Sequence, residues 1–304
     1  MNKIKIFNIF LSLSVVLLFG CSFSKWEQIN LDSENFESYG NESSEVVIIN
    51  AQGGAFPDLE RNFLREMFSW LDLGRYMLLN VHQTQTKPGS DFETREITFE
   101  DAKEADKQSV LWLSETINKF KDSGKRVYVV GASFGAFMVQ ESLATQGNVA
   151  DGYLLMVGRL DMPSEVWTEF AGGRMVGFED NNTIVDFSAQ EAGMGGDGLY
   201  TDINMAKLSA GLAYNRYSET LKGLDMRNVT YVYAASDEQV GALTEAETSF
   251  LREHGAKVII KDTDHVETAL SIKPILQAMI EEYVKKKLIQ KVSAFFVLHV
   301  NYQP

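Results

Sequence analysis

Ser133 lies in Gly131-Ala132-Ser133-Phe134-Gly135, a G-x-S-x-G whose flanks give the spacing chemical meaning. The short run Val127 to Val130 before it is apolar and rich in β-branched residues, and reads as a buried strand. Ala136 to Ala144 after it lacks Gly and Pro and reads as a helix. A strand that turns at once into a helix forces the central residue into a strained conformation, and side chains two positions either way would collide. Gly131 and Gly135 remove that collision, and the helix N-terminus behind Ser133 favours a developing anion. The chemistry implied is nucleophilic attack by a serine hydroxyl.

A hydroxyl at its ordinary pKa attacks poorly, so a base and an orienting acid are expected. The chain has four histidines. His299 lies in the terminal tail, and His254 ends a helix beside Gly255. His82 follows a strand and keeps a binding or base role open. His265, in Asp262-Thr-Asp-His265, falls after the strand Lys257 to Ile260 and before the last helix. That is the carboxyl end of a late strand, where parallel sheets gather ligands, and it makes His265 the candidate base. For the acid, Asp237 follows the strand Thr230 to Ala235, with Asp161, Glu238 and Asp264 as alternatives. A carboxylate there would hold the imidazole in one tautomer and stabilise its charged form.

The elements that must position these groups alternate. Strands are expected at Val46 to Ile49, Tyr76 to Val81, Val127 to Val130, Gly152 to Val157, Thr230 to Ala235 and Lys257 to Ile260. Helices are expected at Leu59 to Trp70, Phe99 to Phe120 (Thr98 as N-cap, Asp101 three residues on), Thr244 or Glu245 to His254, and Val266 to Lys287. Such alternation predicts an α/β fold, a mostly parallel sheet with helices on both faces. It is interrupted between Arg159 and Arg227. That stretch, 159–227, is too long for a plain connection and is expected to form a cap or lid. Its aromatic residues, among them Trp167, Tyr214 and Tyr217, either line a pocket or pack the cap on the body. Gly193 to Gly198 lacks the lysine and the strand–helix context of a phosphate loop and reads as a flexible loop.

The order Ser133, Asp237, His265 on this alternation resembles the α/β-hydrolase family, over roughly residues 46–287. Asn50-Ala-Gln-Gly-Gly-Ala-Phe-Pro57 resembles that family's oxyanion loop, with Gln52 where histidine is usual. The resemblance implies that the backbone N–H groups of Phe134 and Gly54 receive the oxyanion. It further implies a serine hydrolase acting on a small-molecule acyl substrate, a carboxylic ester in first place. An aminopeptidase-like amide hydrolase and a non-catalytic ligand-binding protein on the same fold are the alternatives.

The N-terminus is a targeting signal. Lys3 and Lys5 precede a short apolar stretch, Ile9 to Phe19, and Leu18-Phe19-Gly20-Cys21 resembles a bacterial lipobox. Cys21 is the chain's one cysteine, which favours lipidation and membrane attachment, with Ser22 resembling the outer-membrane sorting pattern. The organisation expected is a signal peptide over 1–20, a tether with an edge strand near Trp26 to Leu31 within 21–45, the catalytic domain over 46–287, and a tail over 288–304. A length of 304 residues with 45% hydrophobic and 23% charged side chains supplies a core for one large domain. A net charge of −14 argues against a nucleic-acid partner. No His, Cys or carboxylate cluster has ligand spacing, so neither a metal nor a cofactor is expected.

Overall fold

The computed structural model describes residues 26–31, 33–179, 182–186 and 198–282. Cys21, residues 193–197 and the tail 288–304 with His299 lie outside the described residues. Eight strands form one sheet in the order β1-β2-β4-β3-β5-β6-β9-β10. They are β1 (Gln28–Ile29), β2 (Phe36–Gly40), β3 (Val46–Ala51), β4 (Met77–Val81), β5 (Arg126–Ala132), β6 (Gly152–Met156), β9 (Val229–Ala234) and β10 (Lys257–Lys261). From β4 to β10 every pairing is parallel; β1–β2 and β2–β4 are antiparallel.

Side chains alternate across the sheet and make two cores. Val47, Ile49, Val127, Val129 and Leu155 face the helices α2 (Phe99–Asp122) and α3 (Phe134–Gln146). Val46, Ile48, Tyr128, Val130 and Leu154 face α1 (Arg61–Met67) and the C-terminal helices. Because both faces are covered, β3 and β4 are buried along their whole length and read as continuous apolar runs. α2 opens on the expected cap: Thr98 Oγ1 accepts from Asp101 N at 3.1 Å and Asp101 Oδ2 from Thr98 N at 2.9 Å.

Two expectations change. In the stretch 21–45, where a tether with one edge strand is expected, Phe36–Gly40 is a further, buried strand of the sheet. Its Glu37 is satisfied by Tyr39 Oη at 2.6 Å and by the Arg61 guanidinium, so an acidic stretch can enter the sheet. After α7 (Glu245–Glu253) the expected closing helix is two pieces, α8 (His265–Leu270) and a helix over 273–282. Pro274 has no N–H and clashes with the carbonyl four residues back, which breaks the run there.

The insertion after β6 lies where a cap is expected. It holds α4 (Ser164–Ala171), the hairpin β7 (Val176–Glu179) and β8 (Thr183–Asp186), then α5 (Thr201–Ala213) and α6 (Tyr217–Thr220). α5 packs on α2 and α4 through Met205, Leu208 and Leu212 and joins the helical layer, while the hairpin is held on the Asp237 loop, where Phe178 N donates to Glu238 O at 2.8 Å. Tyr214 stands edge-on to Phe99 and Trp167, with ring centres 6.0 and 6.4 Å apart, and Tyr217 is fully buried beside Phe137. These aromatic residues pack the insertion onto the body. No helix among the described residues is long and apolar enough to cross a membrane.

Candidate active site

β5 ends at Ala132 and α3 begins at Phe134, so Ser133 alone makes the turn. Its backbone sits at φ 53°, ψ −122°, a conformation that costs a non-glycine residue of order 1–3 kcal/mol. The turn holds because its neighbours over-determine it: Ser133 N donates to Met156 O at 2.9 Å, and Ala136 N donates back to Ser133 O at 2.8 Å. The flanking glycines are demanded by space. A Cβ on Gly131 would lie 2.7 Å from Gly135 C and 2.8 Å from Val139 Cγ2, and one on Gly135 would lie 2.7 Å from Ala51 C and 2.8 Å from Gln52 O. Phe134 is the first residue of α3, so its N–H has no helical acceptor.

Asp237 and His265 follow β9 and β10, adjacent parallel strands, at the same end of the sheet as Ser133. His265 Nδ1 lies 2.8 Å from Asp237 Oδ1 and 2.9 Å from Oδ2. Asp237 Oδ1 also accepts the N–H groups of Gln239 at 3.0 Å and Val240 at 2.9 Å. A carboxylate saturated with donors in this way requires the proton on Nδ1, which leaves Nε2 as the ring's acceptor. Both side chains are buried, which strengthens the pair electrostatically. Among the described residues no hydrogen bond joins Ser133 Oγ to the His265 ring; free enzymes commonly tighten that contact only when substrate is bound.

The competing residues are committed elsewhere. Asp264 caps α8 by accepting from Glu267 N at 2.8 Å, and Asp161 binds Ser218 and Arg216. Glu238 accepts from the backbone N–H of His265 at 3.3 Å and leaves the ring alone. His254 stacks on Phe250 with ring centres 4.1 Å apart and receives Gly223 N–H on Nε2 at 3.2 Å. His82 Nδ1 is 2.8 Å from Thr86 Oγ1; burial, helped by the Lys87 charge, lowers its pKa.

The glycine pair after β3 lies against the elbow. A Cβ on Gly53 would sit 2.9 Å from Ala132 O and 3.6 Å from Ser133 Cβ, and Gly54 takes φ +71°, which favours glycine. Sequence reading missed the polar side chains beneath this loop, Gln83 and Gln85, which are buried. Their position just past β4 was the one available signal. It also missed the buried pair of Arg159 and Glu247, 3.6 Å apart, under the Asp237 loop. Glu247 Oε1 accepts the N–H groups of Leu160 and Asp161 at 3.0 Å each, and Arg159 Nη1 donates to Val240 O at 3.4 Å. No group of three or more His, Cys, Asp or Glu side chains that could hold a metal ion is gathered among the described residues.

No protein-family model and no curated protein sequence matches the chain. Solved structures do. A Pyrococcus furiosus esterase superposes with a TM-score of 0.54 at 12% identity, covering 86% of this chain and 91% of its own. A bromoperoxidase from Bacillus anthracis gives 0.53 at 12%, covering 81% and 93%. A lipase-esterase related protein from Clostridium acetobutylicum gives 0.52 at 12%, covering 83% and 98%. At such identities the likeness carries the fold and not the substrate.

Proposed function

We propose that this chain, whose fold is that of the α/β-hydrolases, is a serine hydrolase that cleaves an acyl bond through Ser133, His265 and Asp237. The observation that carries the reading is the strain at Ser133. A serine held at φ 53° by its surroundings is what a turn built to expose a nucleophile requires. The hydrogen-bonded Asp237–His265 pair supports it.

In the reaction, Ser133 Oγ attacks the acyl carbonyl carbon and its proton passes to His265 Nε2. Asp237 holds the ring and stabilises the imidazolium. The N–H groups of Phe134 and Gly54 take the negative charge on the carbonyl oxygen. His265 then gives the proton to the leaving group, and water, deprotonated by the same nitrogen, frees the acyl group and restores Ser133. A carboxylic ester is the expected substrate class, since its leaving group departs more easily than an amine.

Fluorophosphonate labelling tests the reading. The wild-type chain is expected to be labelled on Ser133, with labelling abolished in Ser133→Ala and strongly reduced in His265→Ala. A folded wild type that resists the probe would overturn it and favour a ligand-binding role for the fold. Attachment to the bacterial envelope through lipid on Cys21 is a separate proposal, resting on Leu18-Phe19-Gly20-Cys21. Metabolic labelling with an alkynyl fatty acid, lost in Cys21→Ala, is the expected result; incorporation unchanged in that variant would refute it.

A further inference from the structure

The residue that departs from the resembled oxyanion loop, Gln52, is the one that ties the loop together. Its side chain is buried, at 3% exposure, and both ends of the amide are used. Nε2 donates to Asp58 O at 2.9 Å, and Oε1 accepts from Glu60 N at 2.6 Å. One side chain therefore closes the segment Gly53 to Pro57 back on its own start. The backbone carbonyl of Gln52 is held as well, by Gln83 Nε2 at 2.9 Å, and Gln83 Oε1 accepts from Gln85 Nε2. Gln83 and Gln85 are 0% and 4% exposed. Three buried amides thus run from the segment after β4 to the loop over Ser133.

Buried amides are costly unless satisfied, and these are satisfied in one geometry only. An apolar side chain at position 52 would fill the space without fixing the loop. Adjacent glycines give Gly53-Gly54 wide backbone freedom, whereas an oxyanion donor must be held to a few tenths of an ångström. We infer that Gln52, anchored by Gln83, is the positioning residue that sets the Gly54 N–H against Ser133. A glutamine amide suits this role because it presents donor and acceptor together and does not titrate, while an imidazole loses its acceptor on protonation.

The inference rests on the serine-hydrolase reading above, and its test separates the two. Gln52→Met keeps length and volume and deletes both hydrogen bonds; Gln83→Met frees the Gln52 carbonyl and the Gln85 amide while leaving the Gln52 side-chain bonds in place. Second-order rates of fluorophosphonate labelling and kcat for p-nitrophenyl acetate are measured per active site titrated, with the pH profile. Removing an oxyanion donor costs about 10²–10³-fold, so loosening one by Gln52→Met is expected to cost about tenfold or more. KM and the shape of the pH profile should stay in place, and Gln83→Met should show a smaller loss of the same kind. A role confined to folding would lower the number of titratable sites and leave the rate per site unchanged, and that result overturns the inference. So does a wild-type rate in Gln52→Met. Hydrogen exchange of residues 53–60 gives an arm independent of activity: faster exchange in Gln52→Met supports the clamp and unchanged exchange refutes it. A wild type that fails to label counts against the reading of Ser133, with the exchange result still deciding whether Gln52 holds the loop.

Discussion

Replacing Gly135 with alanine tests the packing of the elbow directly. The new methyl would lie 2.7 Å from Ala51 C and 2.8 Å from Gln52 O, and closer still to Ala51 O, all inside the 3.0 Å that Cβ atoms keep. These neighbours are backbone, at the end of β3 and the start of the Gly53-Gly54 loop, so no side chain can rotate away. Gly135 does not have a positive φ, so the cost is steric alone. Overpacking of this kind costs about 1–3 kcal/mol, and rigid backbone on the receiving side places Gly135→Ala at the upper end. The loop must retreat from Ser133 by a sizeable fraction of an ångström, and misplacement of about 1 Å at a catalytic group costs about 10²-fold in rate. The control is Gly124→Ala. That residue has φ +77° with nothing within 4 Å of the added methyl, so it isolates conformational strain of about 1 kcal/mol and should label normally. Urea unfolding and fluorophosphonate labelling rates measure the two effects. Gly135→Ala matching Gly124→Ala in both stability and rate would refute the packing argument.

Ser133→Gly should abolish labelling yet raise stability by about 1 kcal/mol in urea, because it releases strain of about 1–3 kcal/mol against a smaller loss of chain entropy; a destabilised variant would contradict the strain. Asp106 on α2 is fully buried with Oδ2 unpartnered, and burial, with Glu141 nearby, raises its pKa well above the usual carboxylate range. Folding therefore favours its neutral form: stability is full below the unfolded pKa and falls as pH rises through the folded value. Asp106→Asn should raise the urea midpoint more at pH 8 than at pH 5, and an equal gain at both would show that Asp106 does not titrate on folding. Glu247→Ala should cost about 3–5 kcal/mol by stranding Arg159 and the Leu160 and Asp161 N–H groups; a melting temperature within 2 °C or so of wild type, where about 1 kcal/mol moves a domain this size 2–4 °C, would refute that role.

What could be read directly from the sequence was what short-range sterics dictate. Gly131 declares the elbow because its Cβ would meet Gly135 four residues on, whereas the atoms that exclude a side chain at Gly135 belong to Ala51 and Gln52 and are supplied by the fold. The parallel strands from β3 to β10 announce themselves as apolar runs because both faces of the sheet are covered. Thr98 with Asp101 marks the start of α2 because a cap is satisfied within one turn. Tertiary structure decided the rest. Phe36–Gly40 reads as polar chain until the Arg61 guanidinium and Tyr39 satisfy Glu37. Asp237 differs from Glu238, Asp161 and Asp264 only in facing the His265 ring, a relation set by the parallel register of β9 and β10. α5 belongs to the helical layer because α2 presents it an apolar face. Gln52 looked like a flaw in a familiar loop, and its use depends on Asp58, Glu60 and Gln83, up to 31 residues away. A side chain's type states what bonds it can make, and only the fold supplies the partners.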